Sequence, residues 1–251
     1  MDIGVIYDPA CPWCFIGKRR LEKALAMRGL MPASAKTRAQ TPARRRALGQ
    51  SPVEIRWLPF LLNPELPPEG IDRTAYLIKK FGSEQRVRRV FGAIGEAGLS
   101  VEINFAFERI SRTPNTVDAH RLVRFADGRQ RAQEAVEALF TGYFLQGQDI
   151  GDPAVLLRIG KSLDLPYEEL RSYLDSDEDV AGIYEENASA HRLGINGVPS
   201  YLFNGHMVIS GAQEPKILAR VLDVARIGQP QDDTPSGLPP SGEMSIPAAT
   251  A

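Results

Sequence analysis

The chain has almost no cysteine: two in 251 residues, Cys11 and Cys14, with a single dipeptide between them. Histidine is equally scarce, at three residues, His120, His191 and His206. There is no surplus of either charge. Thirty basic against 31 acidic residues give a net charge of −1, so no nucleic-acid or membrane-surface partner is expected. No apolar run approaches the roughly 18 residues of a membrane span. The opening MDIGVIYD has neither a basic start nor a long apolar stretch before a small-residue cleavage site, which predicts a cytoplasmic protein. The remaining composition, 43% hydrophobic and 24% charged, is that of an ordinary globular chain long enough for one large domain or two small ones.

These absences narrow the purpose of the cysteine pair. Thiols are held reduced in the cytoplasm, and a disulfide across so short a loop would constrain the unfolded chain little. A structural zinc site needs about four ligands, yet there is no second Cys pair and no His-x(3–5)-His spacing. No metal is therefore expected, and redox chemistry is left.

The setting of the pair supports that chemistry. Ile3–Tyr7 (IGVIY) is a short apolar, β-branched run and reads as a buried strand. Asp8-Pro9-Ala10 reads as a turn, and the stretch up to Arg28 as a helix that Gly29 stops. Pro12 suits the first helical position. Cys11 then lies where unpaired backbone N–H groups and the positive end of the helix dipole converge, which favours thiolate over thiol. Thiolate is the attacking species in disulfide exchange. Cys11 is read as the nucleophile, Cys14 as the resolving thiol. Trp13 offers an apolar contact to substrate or packs partly against the body below. Val198-Pro199 opens a strand, Ser200–Phe203, and proline there fits an edge, a turn or a cis bond. Asn204-Gly205 turns the chain into a returning strand, His206–Ile209.

The blocks DPACPWCFIGKRRLEKAL, VEIRWLPFLLNPELPPEG, TPNTVDAHRL, EALFTGYFLQGQDIGD and GINGVPSYLFNGHMVISGAQEP resemble the DsbA-like thioredoxin superfamily, and within it the cytoplasmic FrnE branch. The resemblance runs from Ile3 to about Arg226. It implies an α/β thioredoxin fold, a central mixed sheet flanked by helices, split by an inserted all-α helical domain. Residues 1–63 and 178–227 would form the two halves and 64–177 the insertion. The first half would hold strand Ile3–Tyr7, helix Cys11–Arg28 and strand Val53–Phe60. The second would hold helix Glu178–Arg192, the hairpin and helix Gln213–Arg226. Helical periodicity and start signals independently mark Arg73–Phe81, Glu84–Ala97, Val117–Phe125, Ala132–Gln146, Pro153–Leu163 and Tyr167–Leu174. Leu139, Phe140, Tyr143 and Phe144 form an apolar stripe expected in the core. Residues 31–50 carry five basic and no acidic residues and read as a solvated loop, and residues 228–251, rich in Pro, Gly and Ser, as a disordered tail.

The same resemblance implies a function: thiol–disulfide oxidoreductase, with the backbone of Val198 and the Pro199 loop facing Cys11, Pro12, Trp13 and Cys14 across a substrate groove. Its partner would be a dithiol- or disulfide-containing protein or a small thiol, with glutathione as co-substrate and no other cofactor. Pairing into a homodimer is left open. Many DsbA enzymes carry histidine where Trp13 stands; without that cation the disulfide should be less oxidising. Related kappa-class glutathione transferases and 2-hydroxychromene-2-carboxylate isomerases have serine at the position of Cys11, so a glutathione-dependent isomerase is the alternative. Asn63, Ser210 and Gln213 fall where relatives hold glutathione, or else they cap turns and helix starts. Asp8 reads as a turn aspartate or as a proton acceptor for Cys14. His120 reads as a structural histidine or as a residue facing the groove.

Overall fold

A computed structural model describes residues 1–32 and 52–227. The basic stretch 33–51 and the tail 228–251 lie outside the described residues. The centre of the molecule is strand β1 (Asp2–Tyr7), buried along nearly its whole length. A strand covered on both faces needs a continuous apolar run, and Ile3, Val5, Ile6 and Tyr7 supply it. On one side β1 pairs parallel with β3 (Pro52–Pro59), Val5 opposite Trp57. On the other it pairs antiparallel with β6 (Ser200–Phe203), Val5 opposite Tyr201. A parallel neighbour requires a crossover, and α1 (Pro12–Ala26) provides it.

The remaining strands are β2 (Met31–Pro32) and β7 (Met207–Ser210), and the sheet order is β2-β3-β1-β6-β7. Met31 and Pro32 belong to the stretch expected to be loop. They instead pair with Pro52 and Val53. Pro32 removes a ladder donor, which an edge strand tolerates. The β6–β7 turn has positive φ at Asn204 and Gly205 (51° and 78°), as the Asn-Gly pair predicts. His206 stays in the turn, its Nδ1 2.9 Å from the Asn204 carbonyl, so the return strand begins one residue later than expected.

Residues between β3 and β6 contribute α2 (Arg73–Phe81), α3 (Glu84–Leu99), α4 (Val117–Asp127), α5 (Ala132–Phe144), α6 (Pro153–Ser162), α7 (Tyr167–Leu174) and α8 (Val180–Arg192). A two-strand ribbon, β4 (Ile71–Asp72) with β5 (Arg112–Thr113), sits among them. After β7 comes α9 (Pro215–Ile227). Several starts follow local chemistry. The side chains of Asp72, Ser83 and Asp152 accept from the N–H groups of Ala75, Arg86 and Ala154. The start of α8 does not. It was expected at Glu178 but falls at Val180, because buried Arg121 draws the carbonyls of Tyr173, Leu174, Ser176 and Glu178 onto its guanidinium. That holds the backbone out of helix until Asp179. The strand-helix-strand then helix-strand-strand-helix order is that of the thioredoxin fold.

One buried cluster joins sheet and helices. The apolar stripe of α5 is in it, and it is shared: Phe140 stacks on Phe15 of α1, centroids 5.0 Å apart, and meets Tyr7 of β1 edge-on at 6.0 Å. At the rim of this contact Lys18 of α1 donates to Glu137 of α5 at 2.6 Å. The helices therefore brace the element that carries the cysteines.

Candidate active site

The turn Asp8-Pro9-Ala10 brings the chain from the end of β1 to the start of α1. Asp8 Oδ1 accepts from the Ala10 N–H at 2.7 Å, and the Asp8 carbonyl accepts from the Cys11 N–H at 3.0 Å. Cys11 is the N-cap residue of α1, in extended conformation, and no side chain satisfies the helix start there. The first-turn N–H dipoles thus point towards its sulfur. Both cysteines are free and buried. They stand 3.5 Å apart and are joined by a side-chain hydrogen bond. Burial pushes the Cys14 thiol well above its ordinary value, the Cys11 hydrogen bond adds to this, and the Asp8 backbone N–H pulls the other way.

Opposite Cys11 the Val198–Pro199 peptide is cis. Cys11 Sγ donates to the Val198 carbonyl at 3.8 Å. The loop is fixed from behind by the Gly211 N–H on the Pro199 carbonyl, 2.7 Å, and by the Ser200 hydroxyl on the Gly197 carbonyl, 2.8 Å. Pro199 rests on Gly17, one helical turn beyond Cys14, where an added Cβ would come within 2.7 Å of Pro199 Cγ. Trp13 is 38% exposed beside the pair, and Pro12 is half-buried at the first helical position.

The fold thus gathers Cys11, Pro12, Trp13, Cys14, Val198 and Pro199 at one end of the sheet. Ser210 and Gln213 lie next to the proline loop. The Ser210 and Ser200 hydroxyls are 3.2 Å apart, Ser200 accepting because its own proton goes to Gly197, and Gln213 Nε2 donates to the Ser210 carbonyl at 2.8 Å. Asn63 lies just past the end of β3, its Oδ1 accepting from the Tyr76 hydroxyl, which in turn accepts from Lys80. His120 is 2% exposed, beneath the site. Its Nε2 faces the Phe60 carbonyl at 3.3 Å and its ring lies edge-on to Tyr7. Burial lowers it to about 3, so the ring is neutral at physiological pH and Nε2 donates.

The exit of β3 has a role that sequence patterns do not reveal. Four consecutive residues are held by side chains from three helices and the Asp8 turn. His120 of α4 takes the Phe60 carbonyl, Asn187 of α8 the Leu61 N–H (2.8 Å), Asp8 the Leu62 N–H (2.8 Å), and Tyr76 of α2 the Asn63 side chain. Asn187 lies in a run of polar helix residues, and nothing local distinguishes it from its neighbours.

Asp8 is both a turn residue and a buried acid, 1% exposed. Burial raises its carboxyl to about 6, against the pull of the Leu62 and Ala10 N–H groups and the Thr116 hydroxyl. A raised carboxyl means that the folded state holds its proton longer than the unfolded chain. Its contribution to stability is complete below the ordinary 3.8 and is lost as pH rises through about 6. The gap is worth about 3 kcal/mol. In urea titrations from pH 4 to 7, the wild type should lose about that much relative to Asp8→Asn. A difference between the two that is flat across the window would refute the assignment.

Among the described residues, no three His, Cys, Asp or Glu side chains converge as a metal site, and no helix is long and apolar enough to cross a membrane. Comparison with known proteins agrees with the fold. The chain is 25% identical over 227 residues to the uncharacterized protein YwbO of Bacillus subtilis, covering 88% of this chain and 96% of that one. It superposes on a probable DsbA oxidoreductase of Streptomyces coelicolor with TM-score 0.75 at 24% identity, covering 96% and 94%. It superposes on the cytosolic disulfide reductase DsbM of Pseudomonas aeruginosa, solved with GSH, with TM-score 0.57 at 14% identity, covering 90% and 100%. The profile of the DSBA-like thioredoxin domain matches residues 2–223, and the chain belongs to that family.

Proposed function

We propose that this protein is a cytoplasmic thiol–disulfide oxidoreductase in which Cys11 attacks and Cys14 resolves. The observation that carries the reading is a free thiol at an uncapped helix start, with a second thiol 3.5 Å away and the Val198 carbonyl opposite. The Cys11 thiolate attacks one sulfur of a substrate disulfide, forming a mixed disulfide and expelling a substrate thiolate. Cys14 loses its proton and attacks Cys11 Sγ. The Cys11–Cys14 bond forms, the second substrate thiolate leaves, and both thiolates are protonated. Two electrons pass from the protein dithiol to the substrate; the reverse sequence oxidises a substrate dithiol. Asp8 is the proposed acceptor for the Cys14 proton, since it lies within electrostatic range and titrates close to neutrality.

The groove between Trp13 and Val198-Pro199 receives an extended segment or a small thiol, aligned along the Val198 backbone in the manner of strand addition. Asn63, Ser210 and Gln213 are the proposed contacts for glutathione. The DsbM structure solved with GSH is consistent with such a ligand on this fold.

The test is equilibration in graded glutathione redox buffers with thiol state read by intact mass. A reversible Cys11–Cys14 disulfide is expected. Its midpoint should lie below the roughly −120 mV of DsbA, because Trp13 supplies no cation to hold the thiolate. If no disulfide forms anywhere in the range, the exchange reading is lost and the glutathione-dependent isomerase takes its place.

A further inference from the structure

Tyr201, in strand β6 two residues after Pro199, is fully buried, and its hydroxyl has no hydrogen-bond partner among the described residues. A buried hydroxyl without a partner destabilises a fold, and phenylalanine would fill the same space without that penalty. Three features place this hydroxyl. Pro199, just before β6, and Tyr201, within it, both lie against Gly17 of α1. The hydroxyl abuts Gly17, whose missing Cβ leaves the slot it enters. Gly17 lies three residues after Cys14, and residues so spaced are neighbours on one helix face.

We propose that the Tyr201 hydroxyl is a standing hydrogen-bond donor for the Cys14 thiolate, the species that resolves the mixed disulfide. The proposal rests on the exchange reading above. In the dithiol, Cys14 is paired with Cys11 and the Tyr201 hydroxyl is bonded to neither sulfur. Once a substrate sulfur is bonded to Cys11, that partnership is broken and a buried thiolate must form. A rigid donor fixed against this face of α1 needs little reorganisation at that moment. Burial raises the Tyr201 hydroxyl well above its ordinary value, so it keeps its proton and remains a donor throughout. The titratable groups facing Cys14 are Cys11 on its own helix, Tyr7 and Asp8 at the end of β1, and Tyr201 on β6. Arg20 of α1 acts electrostatically on Tyr201, and His120 lies edge-on to the Tyr7 ring. Of the two tyrosines, only Tyr201 enters the α1 slot at Gly17.

The experiment uses reduced full-length protein mixed with oxidised glutathione, acid-quenched at intervals and read by intact mass across pH 6 to 10. Wild type should pass through a Cys11–glutathione adduct to the internal disulfide. In Tyr201→Phe the adduct should persist about tenfold to a hundredfold longer, the value of one hydrogen bond to a charged group. The pH midpoint of resolution should rise, while adduct formation at Cys11 stays within about twofold. A purely structural tyrosine predicts otherwise: a variant at least as stable in urea, with adduct lifetime and midpoint unchanged. That result overturns the proposal. If the wild type itself forms neither adduct nor disulfide, the exchange reading fails instead, so the two failures are distinct.

Discussion

Cys11→Ser is expected to reduce disulfide exchange to the uncatalysed background, and Cys14→Ser to stop it half-way. A serine hydroxyl has no accessible anion at neutral pH and forms no disulfide, so the first bond is never made. Cys14→Ser leaves the attacking thiol and the Val198 carbonyl in place. Cys11 should therefore take up one equivalent of glutathione or substrate and keep it, because no second thiolate is 3.5 Å away to expel it. Intact mass after incubation with oxidised glutathione separates the two: no adduct for Cys11→Ser, a persistent single adduct for Cys14→Ser. Exchange surviving in Cys11→Ser would assign the chemistry to sulfur supplied by glutathione itself, and the dithiol mechanism would be abandoned.

Gly17→Val should abolish most of the activity without touching either cysteine. Glycine inside a helix is normally a weakness, and replacing it by alanine gains about 0.5–1 kcal/mol. Here packing outweighs propensity. A Cβ at this position would lie 2.7 Å from Pro199 Cγ and would strike the Tyr201 hydroxyl. Neither neighbour is a pliable chain end: one is a proline ring, the other the tip of a rigid aromatic. Overfilling a packed interior costs about 1–3 kcal/mol, and the two γ-carbons of valine place the change at the upper end. The only other relief is to move the Pro199 segment away from α1, which carries the Val198 carbonyl off Cys11. Urea midpoint and exchange rate should fall together. Gly92 in α3 is the control: no atom lies within 4 Å of its missing Cβ, so Gly92→Ala should stabilise and leave exchange intact. A Gly17→Val protein with wild-type midpoint and rate would show that the close approach has no consequence.

These two results bear on different kinds of information. The cysteines could be read as a candidate redox pair before any coordinates because their environment is local. A β-branched run, an Asp-Pro turn and a proline at the first helical position fix strand, corner and helix start within about ten residues. The same holds for the caps Asp72, Ser83 and Asp152, whose side chains act on N–H groups two or three positions away, and for the Asn204-Gly205 turn, set by backbone conformation.

Other features depend on partners distant in sequence. Asn187 meets Leu61 across 126 residues, and Arg121 delays the start of α8 by collecting carbonyls more than 50 residues away. Met31 and Pro32 become strand only because Pro52 and Val53 return beside them. The aromatic stripe of α5 could be read as core, but not that it would stack on Phe15 and brace the cysteine helix. Gly17 and Tyr201 look ordinary alone, a glycine in a helix and an aromatic in a strand. The sequence by itself determined the candidate pair, the turn before it and the proline opposite, because backbone preferences act over a few residues. Tertiary structure alone decided which buried groups surround that pair, because side chains from β1, β6, α1 and α4 converge there only when the chain is packed.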